Sequence, residues 1–201
     1  DPANEDIYVT NDGEGTVSVI SGSNNTVVAT ITVGIRLSLP EGIAVDSANG
    51  ELYVTIGANN TVSVIAGNNN TVLGRVLVGL YPQGDVFDAT NGNIYVVNLG
   101  NFANGENGTV SVIAGSNNTV VATLPAGYES AGILYDPANG DVYVSNPGDG
   151  TVTIIATTGW VVPEFPGVGV WAVVIASVAT AMLLSRRFQA SSVKALRPLS
   201  D

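Results

Sequence analysis

Oxygen-bearing side chains in short turns are the main residues of this chain that could do chemistry. The 201 residues include no histidine and no cysteine, so imidazole base catalysis and zinc sites of the usual ligand set are excluded. Turns such as Asp12–Gly15 and Asp149-Gly150 offer carboxylate and carbonyl oxygens, which Ca²⁺ prefers as ligands, although no stretch matches an EF-hand loop. We therefore expect no catalytic residue, no cofactor-binding residue and no dedicated metal site, with calcium as the one cofactor left open.

Five asparagines begin Asn-x-Thr sequons, which makes them candidates for N-glycosylation. These candidates are Asn24, Asn59, Asn69, Asn107 and Asn117. Two of them fall in one kind of turn and three in another, so glycans would lie at both ends of a sheet. The alternative is that asparagine suits the turn and threonine suits the start of a strand, which would create sequons by coincidence.

The charge is strongly uneven along the chain. Up to Glu164 there are sixteen acidic residues and two cations, Arg36 and Arg75, which gives a net charge of 2 − 16 = −14. Such an acidic region repels nucleic acid and anionic membrane surfaces. We expect no nucleic-acid partner, and the simplest interpretation of the acidity is a well-solvated extracellular surface.

A repeated unit positions these turns. Residues 42–79 contain four short runs rich in Val, Ile, Tyr and Thr, at Gly42–Asp46, Leu52–Ile56, Thr61–Ile65 and Thr71–Val78. Their lengths and composition predict strands, named A to D here, in an antiparallel meander. Asn49-Gly50 predicts a two-residue type I′ hairpin between A and B, with positive φ at both residues.

The unit recurs at the period of a propeller blade. Tyr8, Tyr53, Tyr95 and Tyr143 are 45, 42 and 48 residues apart. Four strands per unit at this spacing predict an all-β propeller, whose blades bury their faces against one another. A β-solenoid or a stack of sandwiches is the alternative, but hairpin turns inside every unit count against a solenoid.

The B strands carry a family resemblance. They read IYVTN (Ile7–Asn11), LYVTI (Leu52–Ile56), IYVVN (Ile94–Asn98) and VYVSN (Val142–Asn146), and each is followed by a TVSVI-like strand. With the preceding Asn-Gly turn, this pattern resembles the YVTN family of β-propeller repeats of archaeal and some bacterial cell surfaces. Two departures are Ile56 in place of the motif asparagine and Ser130 in place of the proline at Pro40 and Pro82.

The repeats occupy residues 1–158, and the first and last are incomplete. The first unit lacks strand A and the fourth lacks a clear strand D, which gives fourteen predicted strands in about four blades. Either the four blades close imperfectly or more blades precede them, and the second alternative is favoured. We therefore expect exposed apolar faces at the two ends, or an open arc.

An apolar run follows the repeats. Residues 159–167 form a Pro- and Gly-rich linker, residues 168–185 are predicted to be a transmembrane helix, and residues 186–201 a cytoplasmic tail. Val168–Leu184 has no charge and would extend about 26 Å as a helix. Arg186 and Arg187 stop the span and place the propeller outside the cell. A buried core helix is the alternative.

The motif Pro163, Glu164 and Phe165, followed by the apolar run and the arginine pair, resembles the PEF-type sorting signal of archaeal surface proteins. That resemblance implies recognition by an archaeosortase, cleavage at the motif and transfer of the chain to a membrane lipid. A permanent anchor is the alternative, because the segment after the arginines is longer than the usual stub.

These features predict a single-pass cell-surface protein that is not an enzyme. Its propeller would act as a binding or structural module of the envelope or in adhesion, with a surface glycan or a protein as ligand. The alternative is a calcium-dependent propeller enzyme such as a lactonase.

Overall fold

β-branched and aromatic residues at alternating positions determine the strands. The computed structural model describes residues 1–157 and 171–174. The described residues form fifteen strands in four sheets. The four strands between residues 40 and 77 begin and end within two residues of the predicted runs, because turn residues bound each run sharply.

Each sheet is a meander in which neighbours in sequence are neighbours in space. Sheet 1 consists of β1 (Asp6–Asn11), β2 (Thr16–Ser21) and β3 (Val27–Thr32). Sheet 2 consists of β4 (Pro40–Asp46), β5 (Glu51–Ile56), β6 (Thr61–Ala66) and β7 (Thr71–Leu77). Sheet 3 consists of β8 (Pro82–Asp88), β9 (Asn93–Asn98), β10 (Thr109–Ala114) and β11 (Thr119–Pro125). Sheet 4 consists of β12 (Ile133–Asp136), β13 (Asp141–Asn146), β14 (Thr151–Ala156) and β15 (Trp171–Val174).

The A–B turns differ from the predicted type. Asp46 pairs with Glu51, so the turn contains four residues rather than two. Gly50 has φ +74°, whereas Asn49 is not in the left-handed region. The Asn49 side chain instead accepts a hydrogen bond from the Glu51 N–H at 2.8 Å, and this side-chain bond takes the place of the tight hairpin.

The last strand falls inside the predicted membrane helix. Trp171–Val174 pairs with β14 in parallel and occupies the fourth position of sheet 4. Over these four residues the structure differs from the expected helix, because apolar and β-branched residues can pair with the open edge of β14. The rest of 168–185 lies outside the described residues. Within the described part, no helix is long and apolar enough to cross a membrane.

Three apolar clusters hold the four sheets together, one between each neighbouring pair. Between sheets 1 and 2, Tyr8, Val17 and Val19 pack on Leu52 and Val54. The corresponding residues of sheets 2 and 3, and of sheets 3 and 4, form the other two clusters. Fully burying a side chain of this size contributes about 1.5–3 kcal/mol, so contacts between sheets are a large source of stability in this fold.

The repeated tyrosine and threonine also bind the next sheet through hydrogen bonds. Tyr53 Oη donates to Asn118 Oδ1 at 2.5 Å, across the boundary between sheets 2 and 3. Thr10 Oγ1 donates to the Glu41 carbonyl at 2.9 Å, and Thr55 Oγ1 donates to the Gln83 carbonyl at 2.5 Å. The repeat motif therefore specifies how each sheet docks on its successor.

Candidate ligand-binding loop face

The turns divide between two edges of the stacked sheets. The A–B and C–D turns lie at one edge, and the B–C turns and the D–A connections lie at the other. We call this second edge the loop face; it comprises residues 12–15, 33–39, 57–60, 78–81, 99–108, 126–132 and 147–150. Backbone hydrogen bonds join its segments, for example from the Leu99 N–H to the Tyr81 carbonyl at 3.0 Å.

One turn of the loop face is longer than its counterparts. In sheets 1, 2 and 4 the B–C turn has four residues, whereas in sheet 3 ten residues separate Asn98 from Thr109. The inserted residues form a short 3₁₀ turn, Phe102–Asn104, and Phe102 is 47% exposed. Insertions in repeat proteins gather on one face, which is often the binding face.

Phe102 lies between two tyrosines from neighbouring D–A connections. The rings of Tyr81 and Phe102 are 6.3 Å apart at 59°, in the tilted arrangement that aromatic pairs favour. On the other side, Tyr128 Oη donates to the Phe102 carbonyl at 3.0 Å. We call Tyr81, Phe102 and Tyr128 the aromatic platform; it spans the loop face of sheets 3 and 4.

The platform rests on strained backbone. Tyr81 has φ +52°, and the residues at the same place in the other D–A connections, Leu39 and Glu129, have φ +57° and +56°. Such conformations of bulky residues cost about 1–3 kcal/mol and are frequent in ligand sites. Tyr81 is held there by a hydrogen bond from its N–H to Asn60 Oδ1 at 2.9 Å.

The loop-face segments that carry the platform also carry exposed apolar and acidic side chains. Leu80 and Tyr81 are 43% and 42% exposed. Glu106 and Asp149 are exposed, and Asp149 Oδ2 accepts a hydrogen bond from the Tyr128 N–H at 2.5 Å. The arrangement offers aromatic faces for stacking and a rim of hydrogen-bond acceptors, which suits a neutral or cationic ligand.

A second unusual group lies on the A strands of sheets 2 to 4, which are β4, β8 and β12. Asp85 pairs with Val96, in the position that Ile43 and Ile133 occupy in sheets 2 and 4. It is 8% exposed, and in the described part no hydrogen bond of normal geometry reaches either carboxylate oxygen. Burial raises the pKa of this carboxyl well above its usual range, more than the nearby Ala44 N–H lowers the pKa.

Asp85 lies where β4 and β8 approach each other closely. A Cβ on Gly42 would lie 2.7 Å from Asp85 Oδ1 and 2.6 Å from the Gln83 carbonyl oxygen. Two residues before Asp85, the Gln83 Nε2 donates a hydrogen bond to Glu41 Oε1 of β4 at 3.3 Å. Burial raises the pKa of Glu41. Glycine is therefore required at position 42 by space rather than by backbone conformation.

The opposite edge carries a groove of about 380 Å³ between turns of sheets 1 and 2. Its walls include Asn4, Asn49, Gly50 and Gly67. Asn4 Nδ2 donates to the Gly67 carbonyl at 3.3 Å across it. These residues hold the two sheets together, so we place the ligand site on the loop face instead.

The five predicted glycosylation asparagines are all exposed. In the C–D turns, each threonine hydroxyl of the sequons at Asn24, Asn69 and Asn117 donates to the asparagine Oδ1 at 2.7 Å. Asn59 and Asn107 lie at the other edge, in B–C turns, so the expected division between the two edges is correct. Whether they carry glycans stays a prediction.

Other predicted residues are placed as follows. Asp12–Glu14 forms a 3₁₀ turn, and in the described part no three His, Cys, Asp or Glu residues converge as a metal site would require. The sorting motif Pro163, Glu164 and Phe165 and the stop residues Arg186 and Arg187 lie outside the described residues.

Neither the aromatic platform nor Asp85 was predicted as a site, although the sequence contains a signal for each. Thr109 follows Tyr95 by fourteen positions, whereas the corresponding threonine follows the tyrosine by eight positions in the other three units. That difference marks the insertion that carries Phe102. Asp85 stands where the A strands of sheets 2 and 4 have Ile43 and Ile133. Alignment of the A strands alone would reveal this difference.

Comparisons with known proteins support the fold. No protein-family model matches the chain, and no curated protein matches it in sequence. Among solved structures, the hydrazine synthase of Kuenenia stuttgartiensis superposes with a TM-score of 0.68 at 19% identity, over 77% of this chain and 44% of that one. The dihydro-haem d1 dehydrogenase NirN, in complex with DHE, superposes with a TM-score of 0.56 at 18% identity, over 72% of this chain and 30% of that one.

The described region of this chain has a β-propeller-like fold. It is all-β, with one three-stranded and three four-stranded antiparallel meanders stacked as in the two β-propeller-like structures, so the predicted fold class is confirmed at this level. The chain spans less than half the length of either. At such low identity the likeness shows the fold alone, and a propeller by itself indicates no function.

Proposed function

We propose that this chain is a surface-displayed binding module of the YVTN repeat type, and that its ligand binds the aromatic platform. The observation that carries the proposal is the inserted loop of sheet 3, which holds Phe102 between Tyr81 and Tyr128 and leaves it half exposed. Exposed aromatic clusters on otherwise regular repeats mark recognition surfaces.

A neutral glycan is the ligand that fits this surface best. The apolar C–H face of a sugar ring packs on aromatic rings, and its hydroxyls donate to carboxylate and amide oxygens. Tyr81 and Phe102 supply the rings. The acceptors are Asp149, which is hydrogen-bonded to the Tyr128 N–H, and Glu106, which is exposed on the same inserted loop as Phe102. The net charge of −14 up to Glu164 disfavours acidic sugars. A cationic protein surface is the other ligand class that the same features allow.

The C-terminal region supports display at the membrane. The uncharged run Val168–Leu184 and the following Arg186 and Arg187 have the composition of a membrane span and its stop signal. Insertion of this run into a membrane would require Trp171–Val174 to leave the edge of β14. We propose that the propeller lies outside an archaeal-type cell. The Pro163–Phe165 motif supports sorting by an archaeosortase onto a membrane lipid, with a permanent anchor as the alternative.

The test is binding of the full chain, in detergent micelles, to soluble neutral polysaccharides by affinity electrophoresis, followed by calorimetry with the oligosaccharide that retards it. Phe102→Ala should raise the Kd about tenfold or more, as removal of a central aromatic contact does. Leu73→Ala is the matched control, because Leu73 is 54% exposed on β7, away from the loop face.

Equal loss in Phe102→Ala and Leu73→Ala, or no retardation by any polysaccharide, would contradict the proposal. A calcium-dependent enzyme is the alternative, and hydrolytic activity on lactones that a chelator abolishes would favour it.

A further inference from the structure

The connection between sheets 1 and 2 contains an insertion. In all three D–A connections, one carbonyl accepts a hydrogen bond from the second residue of the B–C turn that follows. The accepting residue is the third of its connection in two cases, Leu80 and Tyr128, but it is the sixth in the case of Ser38. The three extra residues are Ile35–Leu37, which we call the second insertion.

The second insertion presents its side chains to solvent. Ile35 and Leu37 are 78% and 66% exposed, and Arg36 between them is also exposed. The described region has one other cationic side chain, Arg75, and this one donates to the Val33 carbonyl at 3.0 Å. Within that region no hydrogen bond or ion pair occupies the Arg36 guanidinium. Arg36 therefore offers a set of free N–H donors to a ligand.

The backbone of the second insertion, in contrast, is held in place. Leu37 has φ +64°, a left-handed conformation that is uncommon for leucine, and its N–H donates to the Gly13 carbonyl at 3.2 Å. The Ser38 N–H donates to the Ile35 carbonyl at 3.0 Å. This carbonyl lies against Gly15, where a Cβ would overlap it. A backbone that is already fixed lowers the conformational entropy lost on binding.

The second insertion and the aromatic platform lie on either side of one turn of the loop face. The Gly57 N–H of that turn donates to the Leu39 carbonyl, two residues after the insertion, at 2.8 Å. At the other end of the turn, Asn60 Oδ1 accepts a hydrogen bond from the Tyr81 N–H at 2.9 Å. Because packed sheets lie about 10 Å apart, two sheet spacings separate the insertion from Tyr128 by about 20 Å.

A sheet that preceded sheet 1 would leave this surface open. The loop face is formed by the ends of the strands, whereas neighbouring sheets pack on the faces of the strands. A sheet packed on the free face of β1–β3 would therefore extend the loop face beside the second insertion and would not cover it.

We propose that the second insertion is a second subsite for the ligand of the aromatic platform, and that this ligand is an extended neutral oligosaccharide chain. The inference rests on the proposed function and deepens it. A single sugar ring cannot contact both subsites across about 20 Å, whereas a chain of several rings can. Hydroxyls of the chain donate to carboxylates at the platform and accept hydrogen bonds from Arg36 at the other end. Ile35 and Leu37 pack on the apolar faces of its rings.

The experiment is calorimetry of the full chain, in micelles of a detergent without a sugar headgroup. The ligands are a disaccharide, a tetrasaccharide and an octasaccharide of whichever of dextran, mannan and galactan retards wild type. The wild-type Kd should fall about tenfold or more from the disaccharide to the octasaccharide, because the second subsite adds its contacts only when the chain reaches it.

The double variant Ile35→Ala, Arg36→Ala should bind the disaccharide as wild type does and lose most of the gain with length. Both side chains are exposed, so this variant should fold, as circular dichroism checks. Deletion of Ile35–Leu37 gives the connection the length that sheets 2 and 3 already use, and it should have the same effect. Leu73→Ala on β7 is the control, and it should keep the wild-type dependence on length.

A wild-type Kd that is equal for all three oligosaccharides would overturn the second subsite. So would a gain with length that survives both changes to the second insertion. In either case, binding that Phe102→Ala abolishes would leave the proposed function standing. No binding to any neutral polysaccharide would contradict the proposed function and this inference together. Tighter binding of oligogalacturonates, lost in Arg36→Ala, would overturn the assignment of a neutral chain.

Discussion

Ile56 pairs with Thr61 across β5 and β6, and the Thr61 hydroxyl is buried without a hydrogen-bond partner in the described region. In the other three sheets an asparagine stands at the place of Ile56. Its Nδ2 donates to the threonine opposite at 3.1 Å in each case, as in Asn98 to Thr109. The motif asparagine thus fixes strand C to strand B, and sheet 2 has exchanged that hydrogen bond for apolar packing of Ile56.

Thr61→Val should stabilise the protein by about 1 kcal/mol, because it removes a buried hydroxyl that has no partner. Thr109→Val should destabilise it by about 1–2 kcal/mol, because it leaves the buried Asn98 amide short of an acceptor. Urea denaturation of the two variants measures both changes. Shifts of the same sign in the two would contradict the assigned role of the asparagine.

Gly42→Ala should destabilise the fold by about 1–3 kcal/mol, as overpacking does. The new Cβ would lie 2.6 Å from the Gln83 carbonyl oxygen, and this backbone atom can move little. Gly74→Ala is the matched control, since nothing lies within 4 Å of its Cβ position. In thermal melts Gly42→Ala should have the lower melting temperature of the two variants. Equal melting temperatures would show that β4 and β8 can move apart at no cost in free energy.

The predicted pH dependence follows from Asp85. Its pKa is raised in the folded state, so the folded protein holds the proton more tightly than the unfolded chain. Its contribution to stability is complete below the unfolded pKa, near 3.8, and is lost as pH rises through the higher folded pKa. Asp85→Asn should therefore match wild type at the lowest pH and become more stable than wild type as pH rises.

Urea denaturation of wild type and Asp85→Asn over a series of pH values measures this difference. A gap that is constant over the whole series would mean that Asp85 keeps its ordinary pKa in the fold.

The fold could be predicted from the sequence in most of its detail. The tyrosine spacing and the turn residues located fourteen strands because turns and β-branched runs are local signals. The A–B turn type was wrong because Asn49 hydrogen-bonds to Glu51 instead of taking positive φ. The parallel pairing of Trp171–Val174 with β14 was missed because a short apolar run does not reveal its partner.

The candidate site was not predictable in the same way. The left-handed conformation of Tyr81 depends on hydrogen bonds to Asn60 and Leu99, which come from two different turns. No local signal indicates such a conformation for a tyrosine. The contact of Phe102 with Tyr81 likewise requires that the inserted loop fold back over the preceding connection.

Glycosylation of the exposed sequons is expected to add mass to protein purified from its native cells. The geometry at Asn24, Asn69 and Asn117 leaves each side chain accessible, with Oδ1 held by its own threonine. Intact-mass measurement before and after deglycosylation tests this, with recombinant protein from a host that lacks glycosylation as the control. A native mass equal to the sequence mass would mean that the sequons reflect turn chemistry alone.

Removal of the inserted loop of sheet 3 is the sharpest test of its assignment as the ligand site. Residues 99–108 are replaced by the four-residue turn Gly57–Asn60 of sheet 2, which the repeat already tolerates. Under this assignment, the variant should keep its β-sheet circular dichroism and lose binding to the polysaccharide that retards wild type. Undiminished binding by the folded variant would contradict it.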